Sequence, residues 1–373
     1  MEKSVEDFGS QRKSRGKDMY GDEPNSAFLH GGMANEAKIQ KEYFERGLIY
    51  TLQIESTLKC SQGCSYCYAG STPDSPELLP PEDIMNILQD AAEIKVRCID
   101  WLGGDPLVRS DWYDLMKHAQ NLGLINNIWS SGIPLKNPRL AKKAIEVTQN
   151  GGFISVHLDS LIPEVYQKVH KFQVKENIDA ILKGVNNLLS YGKSPDELWN
   201  CITLTKPIAK TDVHQTMEWF WKEKGIRTVL TLYNPITSSD PQIFLPSDDL
   251  IQRAYQGRDE ILYNDDLSFS TMDVTKFYCG SMICITNEGY YTPCSVIRTK
   301  EFGHYKSLSL IQLLEQNPGD ILMMKLRDPL NLPGECPNCE NNDVCFGCRS
   351  SAYYYNNDMF GCDPKCQRCM GNQ

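Results

Sequence analysis

Six apolar, strand-like runs between residues 48 and 234 constrain the fold of this 373-residue chain more than any other feature of its sequence. Each run is rich in the branched and aromatic residues that favour strands. The runs lie at residues 48–55, 97–103, 124–131, 152–159, 198–205 and 227–234. Every gap between them is long enough for a helix. The sequence therefore predicts six strands that alternate with helices.

Two of the gaps carry clear helical signals. The segment PPEDIMNILQDAAEI begins with prolines and acids, and then places Ile84, Ile87 and Leu88 on one face. The segment TDVHQTMEWFWKEKG opens with capping residues and stops at Gly225. Regular alternation predicts a parallel sheet with right-handed crossovers, either an open doubly wound sheet or an incomplete barrel. In both, the active site lies at the C-terminal ends of the strands.

The chain contains fifteen cysteines, and the rest of its composition indicates whether they form disulfides or bind metal. The formal net charge of −10 argues against a nucleic-acid partner, because phosphate binding relies on clustered Lys and Arg. The sequence shows no signal peptide and no run of roughly 18 apolar residues, so we expect a cytoplasmic protein without a membrane partner. Disulfides are rare in that compartment, and metal binding is the better explanation. Cys98 and Cys201 stand alone in strand-like runs and are expected to be small buried hydrophobes.

A cysteine triplet follows the first predicted strand. Cys60, Cys64 and Cys67 lie in LKCSQGCSYCYAG. A four-iron cluster takes one thiolate per iron, so three thiolates leave one iron open. An open coordination position is typical of a reactive site rather than a structural one. The alternative is a zinc site completed by a distant residue.

The motif CSQGCSYC resembles the C-x-x-x-C-x-x-C motif of radical S-adenosylmethionine enzymes, which lies in the same loop of that family. Tyr66 fills the aromatic position before the last cysteine. The resemblance implies a 4Fe-4S cluster on the three cysteines, with S-adenosylmethionine chelating the open iron. It also implies reductive cleavage of that cosubstrate to a 5′-deoxyadenosyl radical.

Three other strand ends carry the same resemblance. WLGGDPL lies where the family has Gly-Gly-Glu-Pro, although Gly-Gly before Asp-Pro is by itself also an ordinary turn. SSG resembles the family's Thr-Asn-Gly, and HLDS resembles its Ser-Leu-Asp-Gly. His157 in HLDS could equally be a core or capping histidine, and Asp105 replaces the usual glutamate. The resemblance implies a set of residues that contact S-adenosylmethionine: Tyr66, Gly103, Gly104, Asp105, Ser131 and His157.

The last ten cysteines, from Cys279 to Cys369, resemble the SPASM domain, which carries two auxiliary 4Fe-4S clusters. The resemblance implies that the first cluster is held by Cys279, Cys284, Cys294 and Cys348, and the second by Cys336, Cys339, Cys345 and Cys366. The chain departs from the pattern by having two residues between Cys345 and Cys348 instead of three. It also adds Cys362 and Cys369, either of which could replace Cys366. A zinc ribbon in CPNCENNDVCFGC is the alternative.

These patterns predict four parts of the chain: a polar N-terminal tail (1–45), an incomplete (β/α)6 TIM-like barrel (46–235), a helical connector (236–275) and a small cysteine-rich auxiliary-cluster domain (276–373). The resemblance implies an enzyme with three 4Fe-4S clusters and S-adenosylmethionine. It also implies an electron donor such as flavodoxin or ferredoxin.

The expected reaction is abstraction of a hydrogen atom from a ribosomal peptide or protein, by family analogy. The 45 residues before the first strand are too short and polar for a winged-helix leader-binding domain, so a peptide would need a separate adaptor or direct docking. Sulfatase maturases have an aspartate where this chain has Ser295, which makes a sulfatase substrate less expected. The alternatives are a small molecule, such as a tetrapyrrole or cofactor precursor, and a zinc-binding or electron-carrier module without catalysis.

Overall fold

The computed structural model describes residues 31–236, 241–263, 275–316, 318–339, 341–366 and 369. Eight strands form one sheet in the described part of the chain. They are β1 Thr51–Thr57, β2 Cys98–Gly103, β3 Ile125–Trp129, β4 Ile154–His157, β5 Leu198–Leu204, β6 Arg227–Leu232, β7 Met282–Ile285 and β8 Tyr291–Thr292. The first six are the strands that the sequence predicts, each shorter or shifted by a few residues.

The strands are ordered β6-β5-β4-β3-β2-β1-β7-β8 across the sheet. Neighbours are parallel, except for the antiparallel pair of β7 and β8. The sheet does not close, because β6 and β8 remain at its two edges. The predicted incomplete barrel is confirmed.

Helices follow the strands as predicted. The described helices are α1 Gly31–Glu45, α2 Pro81–Glu93, α3 Trp112–Asn121, α4 Pro138–Val147, α5 Pro163–Tyr166, α6 Val174–Ser190, α7 Lys206–Ala209, α8 Val213–Lys224, α9 Pro241–Phe244, α10 Asp248–Tyr263, α11 Lys276–Cys279, α12 Leu310–Gln316, α13 Pro318–Ile321 and α14 Arg349–Asn356. No described helix combines the length and the apolar character needed to span a membrane. The predicted connector contains α9 and α10, while its residues 237–240 and 264–274 lie outside the described ranges.

Helix α2 illustrates why these segments are helical. Pro81 starts the helix, and Glu82 and Asp83 place negative charge in its first turn, near the positive end of the helix dipole. Its apolar face is buried against the sheet, with Ile84 and Leu88 fully covered. At the other end of the barrel, α8 stops at Gly225, whose φ of 66° is a left-handed cap.

The side chains of β1 alternate between the two faces of the sheet. One face packs against the helices, and the other carries the site. Leu52 and Ile54 lie in the apolar layer between strands and helices. Side chains alternate along a strand, so Gln53 and Glu55 lie on the opposite face, where they are buried although polar. Buried polar groups need partners, and on this side they find them near the cysteine-rich segments.

Strand β7 alters the predicted domain division. It pairs in parallel with β1, with Thr51 opposite Met282. The sheet therefore continues into the region predicted as a separate cysteine-rich domain from residue 276. The sequence did not predict β7, because its four buried residues are too short an apolar run to be recognised as a strand among the neighbouring cysteines.

The predicted polar tail needs a correction at its C-terminal end. Residues 1–30 lie outside the described ranges, but residues 31–45 form α1. The Phe44 ring packs edge-on against Phe277 at 5.2 Å between centroids. The Arg327 guanidinium lies 4.1 Å from the centre of the same ring. Apolar contacts with the cysteine-rich region thus fold a segment whose composition alone suggested no structure.

Candidate active site

The cysteine triplet lies in the loop that follows β1. Cys60 N–H donates to Thr72 O at 3.0 Å, and Cys67 N–H donates to Cys64 O at 3.4 Å. The first bond closes the loop at its base, while the second forms a tight turn between the last two cysteines. The loop thereby places the three cysteines at the C-terminal end of β1, where their side chains are close enough to act on one another's pKa.

The three thiols influence one another electrostatically. Burial, together with negative charge on Asp105 and Cys67, raises the pKa of Cys60 to about 12. Burial, followed by charge on Cys67 and Asp159, raises the pKa of Cys64 well above its usual value. Such thiols stay protonated without a cation, whereas a bound metal deprotonates its thiol ligands. The donor set therefore fits an iron-sulfur cluster.

The glycines after β2 pack against this loop. A Cβ on Gly103, whose φ is 119°, would lie 2.2 Å from Thr57 O, and one on Gly104 would lie 2.4 Å from Lys59 O. Gly104 N–H donates to Thr57 O at 2.7 Å, in the same contact. The sequence suggested that these glycines let a ligand approach. In the structure, they let the cluster-bearing loop approach the end of β2.

Asp105 joins the ends of two strands. Its buried carboxylate accepts hydrogen bonds from the Ser130 hydroxyl, at 2.9 and 3.0 Å, and from the Ser131 N–H and hydroxyl, at 3.0 and 2.5 Å. It also accepts from Leu107 N–H at 3.0 Å. Burial raises the pKa of Asp105, although these donors oppose the shift. The structure thus brings the predicted Asp105 and Ser131 together, with the carboxylate engaged in fixing both loops.

Tyr66 and His157, which the sequence predicted as site residues, both contact Asp159, which was not predicted as one. His157 Nε2 lies 2.8 Å from the Tyr66 hydroxyl and 3.1 Å from Asp159 Oδ1. Asp159 also accepts from the Tyr66 hydroxyl, and its Oδ2 lies 2.8 Å from His170 Nε2. Burial by itself would raise the pKa of Asp159, but the two histidines outweigh it and lower that pKa. An ionised Asp159 therefore orients Tyr66 beside the cysteines.

The first predicted auxiliary set is brought together in the C-terminal region. Burial and then charge on Cys348 and Cys294 raise the pKa of Cys279 well above its usual value. Burial raises the pKa of Cys294 to about 11, with Cys348 adding to the shift. Cys284 is buried, and negative charge on Glu55 and Cys294 raises its pKa further. Each predicted ligand thus lies near at least one other.

Cys348 differs from its neighbours. Burial would raise its pKa, but the Lys365 ammonium and hydrogen bonds from Ser350 and Ser351 outweigh burial, and the pKa is lowered. The Cys348 N–H also donates to Asp363 Oδ2 at 2.6 Å. A positive side chain and hydroxyl donors around a thiol favour the thiolate, the form that binds iron.

The second predicted auxiliary set is also gathered in space. Burial raises the pKa of Cys336 to about 11, with Cys366 the next cause and Cys339 a further one. Burial raises the pKa of Cys345 to about 12, and Cys366 and Cys339 contribute. Cys345 Sγ accepts a hydrogen bond from Gly347 N–H at 3.3 Å. Cys336, Cys339, Cys345 and Cys366 therefore lie near one another, and Cys345 also acts on Cys279 of the first set.

Cys362 and Cys369 form a disulfide with each other. The expectation that the cysteines would serve metal rather than disulfides is wrong for this pair. The two residues are buried and flank Cys366 in sequence. Their bond leaves Cys366 as the member of this segment that lies beside Cys336 and Cys345. Cys98 and Cys201 are buried in β2 and β5, as predicted.

No group of three or more His, Cys, Asp and Glu side chains in the described ranges is arranged to hold a single metal ion. A four-iron cluster places a separate iron beneath each thiolate and spaces its ligands more widely than one ion does. The assignment of each cysteine to a cluster stays a prediction.

Sequence reasoning missed the residues that connect the triplet loop with the C-terminal region. Glu55 is buried on β1 and forms an ion pair with Arg298, from the loop after β8. Asn287 N–H donates to Glu55 Oε2 at 3.0 Å. The Arg298 guanidinium lies 5.9 Å from the centre of the Tyr68 ring, one residue beyond Cys67. An acidic residue within a buried apolar strand was the one available signal.

Residues 54–220 match the family model of the Radical SAM superfamily. The matched segment begins on β1 and ends in α8, so it contains the cysteine triplet and the strand ends described above.

Several curated proteins are similar to this chain in sequence. A probable GTP 3′,8-cyclase of Methanococcus vannielii is 24% identical over 265 residues, covering 66% of this chain and 84% of that protein. The corresponding protein of Methanocaldococcus jannaschii is 25% identical over 263 residues, covering 66% of this chain and 85% of that protein.

Solved structures share the fold over more of the chain. Native anSMEcpe with bound AdoMet and the Cp18Cys peptide aligns with a TM-score of 0.65 at 15% identity, covering 85% of this chain and 94% of that one. Streptococcus suis SuiB bound to the precursor peptide SuiA aligns with a TM-score of 0.60 at 16% identity, covering 91% of this chain and 80% of that one. At these identities, the likeness establishes the fold.

Proposed function

Because this chain is a radical S-adenosylmethionine enzyme with a C-terminal region of the SPASM type, we propose that it modifies a ribosomal peptide or protein by abstracting a hydrogen atom from it. Cys60, Cys64 and Cys67 would hold the cluster that binds S-adenosylmethionine. Two further clusters would be held by the two auxiliary sets of four cysteines, for three clusters in all.

When bound, the first cluster and S-adenosylmethionine supply the 5′-deoxyadenosyl radical. The chain's own residues shape the site around them. Asp105 fixes the ends of β2 and β3 through Ser130 and Ser131. On the other side of the triplet loop, Asp159 holds Tyr66 and His157 in place. Gly103 and Gly104 pack against the triplet loop, and their backbone carbonyls would supply the remaining contacts with S-adenosylmethionine.

The hydrogen-bond partners of the arginines in the C-terminal region are the observation that favours a peptide substrate over a nucleoside triphosphate. Its described part contains Arg298, Arg327 and Arg349. Arg298 is paired with Glu55, whereas the other two donate to backbone carbonyls. Arginine is the preferred side chain for bidentate phosphate binding. Here these guanidinium groups already serve the protein's own acceptors.

Fold similarity supports the same substrate class. The structures with TM-scores of 0.65 and 0.60 both contain peptides, and they align with 85% and 91% of this chain. The GTP 3′,8-cyclases favour the alternative of a small-molecule substrate. Two of them, however, align with 66% of this chain, a smaller share than the peptide-bound structures cover.

A direct competition separates the two substrate classes. The anaerobically reconstituted enzyme would be incubated with S-adenosylmethionine, dithionite and either peptides encoded beside its gene or GTP. We expect mass spectrometry to show loss of hydrogen atoms from a peptide, and no consumption of GTP. Conversion of GTP, with every neighbouring peptide unchanged, would overturn the peptide proposal in favour of small-molecule chemistry.

A further inference from the structure

A positively charged surface lies next to the triplet loop, on the segment that contacts Gly63, Cys64 and Ser65. We call it the lysine surface and define it by Lys168, Lys171, Phe172 and Lys175, between α5 and the first turn of α6. All four side chains are exposed, and the Phe172 ring is 49% exposed. No ion pair joins any of the three lysines to a described residue. Their charge is therefore available to a partner.

The lysine surface is joined to the triplet loop by backbone contacts. Lys171 N–H donates to Gly63 O at 3.0 Å, and Ser65 N–H donates to Val169 O at 2.8 Å. Between these bonds, Cys64 and His170 form an antiparallel bridge. The exposed residues Lys171 and Phe172 directly follow the bridging partner of a proposed cluster ligand.

Phe172 extends this contact to the surface. A Cβ placed on Gly63 would lie 2.5 Å from Phe172 Cδ2, so the ring packs on the backbone beside Cys64. Asn177 Nδ2 donates a hydrogen bond to the Phe172 carbonyl oxygen at 3.0 Å. A large, half-exposed aromatic ring next to the triplet loop offers apolar contact to a protein that docks there.

The charge of the whole chain gives this surface its selectivity. With a formal net charge of −10, the protein as a whole repels an acidic partner. Glu164 and Glu176 flank the segment, but no acidic residue lies between Lys168 and Lys175. A local cluster of positive charge beside the triplet loop attracts an acidic partner to this side of an acidic protein.

We propose that the lysine surface is the docking site of an acidic one-electron carrier protein of the flavodoxin or ferredoxin type. This inference rests on the proposed function, because reductive cleavage of S-adenosylmethionine consumes one electron per event. The reduced carrier loses that electron, and S-adenosylmethionine gains it as its sulfonium bond breaks into methionine and the 5′-deoxyadenosyl radical. Docking beside Cys64 places the carrier at a direct backbone connection to the triplet, through the bridge between Cys64 and His170.

The test uses the full-length, anaerobically reconstituted protein and a recombinant flavodoxin as the probe. We expect the double variant Lys168→Glu/Lys171→Glu to weaken flavodoxin binding by about tenfold or more, and to reduce its dependence on salt. The matched control is Lys142→Glu/Lys143→Glu, which makes the same charge change on exposed residues of α4. Phe172→Ala should weaken binding without changing the salt dependence.

Dithionite provides the reference, because this small reductant needs no docking surface. Formation of 5′-deoxyadenosine should fall with reduced flavodoxin relative to dithionite in the Lys168/Lys171 variant. Unchanged flavodoxin affinity, an equal effect of the α4 control, or an equal loss with both reductants would overturn the docking proposal. Absence of 5′-deoxyadenosine from the unmodified enzyme with dithionite would instead refute the proposed function, while the binding measurement would still report on docking.

Discussion

Arg298 binds both carboxylate oxygens of Glu55, with Nη1 at 2.5 Å from Oε1 and Nη2 at 3.1 Å from Oε2. The two residues are 243 positions apart, one on β1 and the other beyond the last strand of the sheet. Glu55 is fully buried, whereas 22% of the Arg298 side chain is exposed. The Asn287 backbone N–H completes the environment of the carboxylate. This pair therefore connects the strand that leads into the triplet loop with the region that contains the auxiliary cysteines.

Breaking this pair should destabilise the protein. In Arg298→Met, a buried carboxylate loses its counter-charge, and we expect a cost of about 3 kcal/mol, seen as a lower midpoint of thermal unfolding. The control Arg253→Met removes an exposed pair with Asp249, whose side chains are 63% and 75% exposed, and should cost less than about 1 kcal/mol. The double variant Glu55→Gln/Arg298→Met should recover part of the loss. Equal midpoints for Arg298→Met and its control would contradict the role assigned to the pair.

Gly104 is expected to be required for cluster binding because of the space around it. In Gly104→Ala, the new Cβ would meet Lys59 O at 2.4 Å and Leu58 C at 2.6 Å, both backbone atoms. The triplet loop must then move away from β2, and we expect loss of up to about four of the roughly 12 irons per chain. Gly319→Ala is the control, since a Cβ there meets nothing within 4 Å. Iron and sulfide analysis after reconstitution measures the difference, and full iron content in Gly104→Ala would show that the close packing is dispensable.

The strands and the triplet were predictable because they depend on local sequence. Alternation of apolar runs with amphipathic helices specified β1 to β6. The spacing of Cys60, Cys64 and Cys67, with its resemblance to a known motif, identified the triplet. Strand β7 was not predictable, since its four residues are a strand only because β1 offers an open edge. The pairing of Glu55 with Arg298 depends on that same tertiary contact, so the acidic residue in β1 signalled a buried partner without identifying it.

The remaining residues of the site fall between these cases. Asp159 lies within the HLDS motif, but its role depends on His170 and Tyr66, which chain folding brings to it. The paired glycines were recognised, yet the group that they accommodate is the chain's own backbone. A sequence motif identified these positions without specifying their contacts.

The disulfide between Cys362 and Cys369 predicts which cysteine of the C-terminal segment binds iron. Cys366→Ser should remove about four irons per chain, because Cys366 lies beside Cys336 and Cys345. Cys362→Ser should leave the iron content unchanged and expose one additional thiol on Cys369. Iron analysis combined with thiol counting under denaturing conditions distinguishes the variants. Loss of iron from Cys362→Ser with retention in Cys366→Ser would reverse the assignment.

Formation of 5′-deoxyadenosine from S-adenosylmethionine tests the central claim most directly. The measurement compares the reconstituted enzyme with the variant Cys60→Ala/Cys64→Ala/Cys67→Ala, under dithionite, with iron determined on the same samples. We predict about 12 irons and steady formation of 5′-deoxyadenosine for the enzyme, against about eight irons and none for the variant. The retained irons show that the variant is folded in its C-terminal region. Continued formation of 5′-deoxyadenosine by the variant would contradict the assignment of the triplet.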